Sequence, residues 1–191
     1  PTAVTEATAE LAASLIFSVM RGIPRYDRQL RQGIWHTPLF SNENTMIAGS
    51  TLGVVGFGRI GKRVCRKAQG MGMHVVYYDK FRAAPEVEEE FGVTYLPFDE
   101  LLAESDCVTL HAPYFPENHH MFNAGAFARM KPTAYFVNTA RGRLVDEEAL
   151  CRALERGTIK GAALDVYEKE PNQIYPGLLA LDNVVLTPHA G

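Results

Sequence analysis

The sequence predicts an α/β domain, a doubly wound parallel sheet of about seven strands preceded by an N-terminal helical arm. Three observations carry this expectation. From residue 51 onward, short apolar runs alternate with helix-period segments, the order of a parallel sheet covered on both faces. The strand runs are nearly continuous in apolar residues, as in Tyr135-Phe136-Val137, which suits burial on both faces. The first run also enters a glycine-rich turn, Gly56-Phe57-Gly58-Arg59-Ile60-Gly61, that opens a helix.

In chain order, residues 5–22 read as a helix. Leu11, Leu15 and Val19 recur every four residues, Ala12 and Ile16 widen the stripe, and Gly22-Ile23-Pro24 ends it. Residues 25–33 form a short charged helix or turn. Residues 35–50, rich in proline, asparagine and glycine, read as a loop long enough to wrap across a surface or a partner. Strands are expected at 51–56, 74–79, 93–96, 106–111, 134–138, 161–165 and 184–187. Helices are expected at 59–69, 85–91, 98–104, 124–130 and 146–156. Residues 1–50 are thus an arm and connector attached to a sheet domain at 51–191, with no internal repeat or low-complexity tract.

Composition narrows the function. With 191 residues and 47% hydrophobic side chains, the chain can bury a sizeable core. Its 19 basic and 22 acidic side chains leave a formal charge of −3, which offers no electrostatic footprint for nucleic acid or an anionic membrane. No uninterrupted apolar run approaches the roughly 18 residues of a membrane span. Residues 11–20 are apolar, but they follow Glu6 and Glu10 and end at Arg21, unlike a signal peptide. Cys65, Cys107 and Cys151 have no C-x-x-C spacing, so neither a metal site nor a disulfide framework is expected. A reducing, cytoplasmic setting suits them. The chain begins at Pro1 without an initiator methionine, as an excised part of a longer protein would.

Gly56, Gly58 and Gly61 have the spacing G-x-G-x-x-G that a dinucleotide pyrophosphate requires. The first glycine permits the tight turn, the second lets backbone approach the phosphates, and the third lets helix and strand pack closely. The helix start offers free N–H groups and a positive dipole end to the anion. These features define a Rossmann-type nucleotide site. Asp79 follows Gly61 by 18 residues and Gly56 by 23, where an acid accepts hydrogen bonds from the adenosine ribose. Its charge repels a 2′-phosphate and favours NAD over NADP, although Lys80 and Arg82 nearby could tolerate one.

The other strands also end in polar residues. The fourth leads into His111-Ala112-Pro113 and the fifth into Asn138-Thr139-Ala140-Arg141-Gly142. The sixth ends in Asp165 and the seventh in Thr187-Pro188-His189. In an open parallel sheet these ends share one edge, the edge that binds ligands. His111, Ala112, Pro113, Thr139 and Ala140 are therefore assigned, with the glycine turn, to the cofactor site. Arg141 suits a bidentate clamp on a substrate carboxylate, whereas Arg143 reads as a surface arginine. An imidazole titrating near 6.5 suits alcohol–ketone acid/base chemistry, and a neighbouring carboxylate favours its charged form. His189 with Glu170 is the candidate pair. Glu168 is a local rival for Glu170, and His111, His119 and His120 are rivals for His189, with His119-His120 expected on a solvated loop.

Together these segments resemble the cofactor-binding domain of the D-isomer-specific 2-hydroxyacid dehydrogenases. The matching stretches lie at 8–21, 52–64, 110–113, 130–150, 161–171 and 183–191, with Asp79 between them. The resemblance implies NAD as cofactor and reversible hydride transfer between NADH and a 2-keto acid. It makes Arg141 the substrate-orienting residue, His189 the acid/base and Glu170 its paired carboxylate. Asp165 would hold the nicotinamide carboxamide, and Arg59 and Ile60 would meet the pyrophosphate through backbone groups. It further implies a homodimer built on the first helix, and a second, substrate domain that this chain lacks, so that the piece alone would be inactive or nearly so. Tyr114-Phe115 stand where the family often has Leu-Thr, at the site mouth. Formate or phosphite dehydrogenases are alternatives, the former expected to carry Gln in place of Glu170. A non-catalytic NAD-sensing corepressor-like module is another.

Overall fold

The computed structural model describes residues 2–35, 44–171 and 173–191; the connecting loop expected at 35–50 lies partly outside the described residues. Seven strands form one sheet: β1 (Thr51–Val55), β2 (His74–Tyr78), β3 (Thr94–Tyr95), β4 (Cys107–Leu110), β5 (Tyr135–Asn138), β6 (Gly161–Leu164) and β7 (Val184–Leu186). Their order is β3-β2-β1-β4-β5-β6-β7, and every neighbouring pair is parallel. The chain winds outward from β1 to β3 and then returns to β1's other side. A crevice therefore opens at the carboxyl ends of β1 and β4, the switch point where such sheets take ligands.

Register decides what reaches that crevice. Val55 pairs with Tyr78 and Leu110, Leu110 with Asn138, Asn138 with Leu164, and Leu164 with Leu186. Six strands thus stop at one level. The residues that follow them, Gly56, Asp79, His111, Thr139, Asp165 and Thr187, stand in a row.

Alternation along each strand sorts side chains between two cores. In β5, Phe136 faces the layer of Phe122, Phe127 and Leu150, while Tyr135 and Val137 face Leu15, Ile16 and Val64. The first layer is covered by α5 (Phe98–Glu104), α6 (Ala124–Arg129) and α7 (Glu147–Glu155). The second is covered by α1 (Thr2–Met20) and α3 (Arg59–Gly70). Between them, α2 (Ile23–Arg31) and α4 (Pro85–Phe91) bury no residue fully, and the four-residue α8 (Pro176–Leu179) buries only Leu178. That single apolar anchor explains why no periodicity announced α8 in the sequence.

The window Ala3–Met20 has a mean hydropathy of 1.3 and is long enough to cross a membrane by length and composition, yet half of it is buried inside the fold. It is hydrophobic because it packs on α3, β5 and β6. Glu6 fastens it, accepting from Arg63 and Lys67 of α3 at 2.6 Å each.

Phe136 is fully buried, with its ring centroid 4.6 Å from that of Phe122 and 5.5 Å from that of Phe127. Phe136→Ala should lower the unfolding free energy in urea by about 3–5 kcal/mol. Leu179, 61% exposed on α8, should cost about 0.5 kcal/mol or less when replaced by Ala.

Candidate functional site

The glycine turn meets its three requirements one by one. Gly56 has φ +96°, and a Cβ there would lie 2.5 Å from the Ala112 amide nitrogen, so β1 and the β4 turn touch backbone to backbone. A Cβ on Gly61 would lie 2.1 Å from the Gly56 carbonyl oxygen. A Cβ on Gly58 would meet nothing within 4 Å. Packing therefore explains Gly56 and Gly61 but not Gly58, whose open space faces the start of α3. Gly58 caps that helix without a side chain, and its first turn carries no acidic residue. The leading amides, those of Arg59 and Ile60 among them, are left for an anion. Asp79 braces the turn from the end of β2: its Oδ2 accepts from the Phe57 amide at 2.8 Å and its Oδ1 from the Phe81 amide at 3.1 Å.

A cleft of about 860 Å³ runs from this turn across the strand ends, and Arg59, Ile60, His111, Thr139, Arg141 and His189 all line it. Ala112, Pro113 and Ala140 complete that wall. Two buried polar atoms in the wall, His111 Nδ1 and Thr139 Oγ1, have no hydrogen-bond partner, which a buried polar group ordinarily finds. Burial pushes the His111 imidazole down to about 3, so it is neutral at ordinary pH, and its Nε2 lies 2.9 Å from Thr109 Oγ1. That removes it as a rival proton donor. The β5 turn is shaped by buried Asn138, which accepts from the Ala140 amide and donates to the Arg141 carbonyl. Arg141 is exposed at the cleft, with Nη1 donating to the Ala140 carbonyl at 2.6 Å.

His189 and Glu170, 19 residues apart, meet with Nδ1 2.9 Å from Oε1. The other Glu170 oxygen accepts from the Tyr167 amide at 3.1 Å. This leaves His189 Nε2 as the ring nitrogen Glu170 does not engage. The loop carrying His189, whose φ is +55°, is pinned to β6. Asp165 is buried; its Oδ1 accepts from Thr187 Oγ1 at 2.6 Å and the Ala190 amide at 2.8 Å, its Oδ2 from Gly191 at 3.1 Å. Its carbonyl accepts from the His189 amide at 2.8 Å. Asp165 is thus engaged in holding the 187–191 loop, whereas His111 and Thr139, also at strand ends, line the cleft.

Some contributors carried no sequence signal. Tyr167 donates its hydroxyl to the Thr187 carbonyl at 2.8 Å and ties the Glu170 segment to the His189 loop. A Cβ on Gly142 would lie 1.9 Å from the Tyr167 carbonyl carbon, so only glycine lets the Arg141 turn approach Glu170. The glycine after Arg141 was the one available hint.

The rival residues form a second pair. His120 Nε2 lies 3.0 Å from Glu168 Oε1, and the His119 and His120 rings stack at 3.8 Å. His119 is exposed as expected for a solvated loop, but His120 is partly buried against Glu168. The Glu168 amide in turn donates to Glu147, whose carboxyl burial pushes above its usual range. The ligand atoms of His119, His120 and Glu168 lie within 4.8 Å of one another. Stacked rings aim their in-plane lone pairs side by side rather than at a common point, and His120 is hydrogen-bonded to Glu168, so the three do not converge on an ion.

Residues 13–191 match the family described as the D-isomer specific 2-hydroxyacid dehydrogenase NAD binding domain. The chain belongs to that family. A glyoxylate reductase of Korarchaeum cryptofilum is 45% identical over 194 residues, covering 100% of this chain and 58% of that protein. The crystal structure of a glyoxylate reductase from Paecilomyes thermophila superposes with a TM-score of 0.91 at 40% identity, covering 100% of this chain and 57% of that one. A D-lactate dehydrogenase of Aquifex aeolicus, solved with NAD and lactic acid, has a TM-score of 0.85 at 35% identity, covering 97% of this chain and 59% of that one. The chain thus spans somewhat over half the length of its relatives. NAD fits the site on the chain's own features: the unfilled space at Gly58, the uncapped α3 start, Asp79, and the partnerless His111 and Thr139 atoms.

Gly58→Ala should leave urea stability unchanged yet weaken NADH binding, read from nicotinamide fluorescence, by about tenfold or more, because the methyl fills the phosphate space. Gly61→Ala should instead lower stability by about 1–3 kcal/mol. His111 adds a pH signature. Its folded value lies below its ordinary one, so the neutral ring favours the folded state above about 6.5, and this contribution is lost as pH falls toward about 3. His111→Gln should flatten that part of the stability-versus-pH curve.

Proposed function

We propose that the protein carrying this chain is an NAD-dependent 2-hydroxyacid dehydrogenase that reduces a small 2-keto acid. The observation that supports this best is the His189–Glu170 pair at 2.9 Å on the same cleft as Arg141 and the glycine turn. NAD, when bound, supplies or accepts the hydride. The chain's residues do the rest. Arg141 presents a planar fork of donors that pairs a carboxylate and polarises the adjacent carbonyl. Charged His189 gives the proton on Nε2 to the carbonyl oxygen, and neutral His189 takes it back in the reverse direction. Glu170, held by the Tyr167 amide, orients the ring through Nδ1. Gly58 and the α3 start receive the pyrophosphate, Asp79 the adenosine ribose. Asp165 acts by fixing the loop that carries His189, and its Oδ2, which accepts from Gly191, retains acceptor capacity for the nicotinamide carboxamide.

The substrates named for the relatives, glyoxylate and lactic acid, define the size class to test. A second domain completing the open side of the cleft is part of this proposal, supported by the relatives' greater length. So is a homodimer formed through the α1–α2 arm, supported by exposed Ile23 and Leu30 on α2. Cysteines 65, 107 and 151 are all buried free thiols, which supports a reducing, cytoplasmic compartment.

The test is NADH oxidation by the intact protein with glyoxylate, hydroxypyruvate and pyruvate. His189→Asn should lower kcat about 10²–10⁴-fold with NADH binding retained. Arg141→Ala should lower kcat and raise KM for the keto acid. Glu170→Gln should lower kcat with NADH binding retained, since Nδ1 loses the carboxylate that orients the ring. Unchanged kinetics in all three variants would dismiss this mechanism.

A further inference from the structure

Beyond β2 the chain forms a short loop that passes the adenosine ribose position at Asp79 and enters α4 at Pro85. Arg82 lies three residues past Asp79 and, by sequence position, is placed to meet a phosphate on the ribose. Its charge is paired with α4 instead. Its Nε donates to Glu88 Oε1 at 2.8 Å and its Nη2 to Glu88 Oε2 at 2.9 Å, a bidentate clamp onto α4. The guanidinium also lies over the Tyr95 ring, 5.3 Å from its centroid.

Glu88 is itself fixed. Its Oε1 accepts from the Tyr77 hydroxyl at 2.6 Å, and that hydroxyl accepts from the Ala83 amide at 2.9 Å. The Arg82 guanidinium, with the Tyr77 hydroxyl, holds the Glu88 carboxyl down at about 2, so the clamp stays charged at any pH where the protein works. Tyr77 stacks on Phe57 inside the glycine turn, with centroids 4.3 Å apart. One connected set of contacts therefore runs from α4 through the loop to the coenzyme cradle.

We infer that Glu88 is a coenzyme-selectivity residue: by holding Arg82 against α4 it withdraws from the adenosine ribose the cation that would pair a 2′-phosphate, and leaves Asp79 to set the charge there. Glu88 touches no coenzyme atom in this arrangement; it is a positioning residue acting through Arg82. The inference rests on the coenzyme site assigned above.

The test is calorimetric titration of the intact protein with NAD⁺ and with NADP⁺, which reads binding without turnover. Unmodified protein should prefer NAD⁺. Glu88→Gln keeps the side chain's size and a hydrogen-bonding group for Tyr77 but frees Arg82. It should tighten NADP⁺ about tenfold, the worth of one charge-assisted phosphate contact, and leave NAD⁺ essentially unchanged. Adding Arg82→Ala should remove the gain. The same comparison in an Asp79→Asn background keeps the aspartate's repulsion from masking it. An unchanged ratio of the two affinities in both backgrounds overturns the inference, as does an equal loss for both coenzymes, which a merely structural role would give. A gain that survives Arg82→Ala overturns it too, pointing to Lys80. Failure of the unmodified protein to bind either coenzyme would overturn the coenzyme site itself, and this inference with it.

Discussion

The level parallel register of the sheet is the constraint on which everything else depends. Hydrogen bonding between β1, β4, β5, β6 and β7 aligns Val55, Leu110, Asn138, Leu164 and Leu186 across the sheet. Chain segments distant in sequence are therefore released at the same height. A one-residue slip would send every side chain of a strand to the opposite face. Here that would exchange Phe136 with its neighbours between two unlike cores, so packing enforces the register that the site requires.

On that platform, polar groups fall into two kinds. Asn138, Asp165 and Asp79 bond mainly to backbone and shape the turns around them. Arg141 and His189 are exposed at the cleft and remain available to a ligand. Groups satisfied by backbone give the turns a fixed form, and the exposed ones face the cleft. Gly142 joins the two kinds, since its missing side chain lets the Arg141 turn sit against the Tyr167 backbone.

Much of this was legible in the sequence. Every expected strand is present within about a residue or two at each end, because β-α alternation with glycine punctuation is a strong local signal. The glycine turn and the Glu170–His189 pair were legible for different reasons, the first from spacing and the second, 19 positions apart, from a resemblance that runs nearly the length of the chain. What escaped depends on three-dimensional partners. Asp165, expected at the nicotinamide carboxamide, also meets amides of Ala190 and Gly191 that no spacing rule connects to it. His120 reads as a solvated loop residue, yet finds Glu168 48 positions away. The four-residue α8 was too short to show a period.

The attachment of the 187–191 loop has a mechanical consequence. His189 hangs from β6 through its own amide and the Asp165 carboxylate, and the glycine cradle hangs from β1 of the same sheet. The His189 ring and the glycine cradle thus belong to one stiff body. A hinge between this sheet and any other part of the protein would swing both together, like two teeth on one gear. Opening and closing would then change what enters the cleft without ever disturbing the distance between His189 and the glycine cradle.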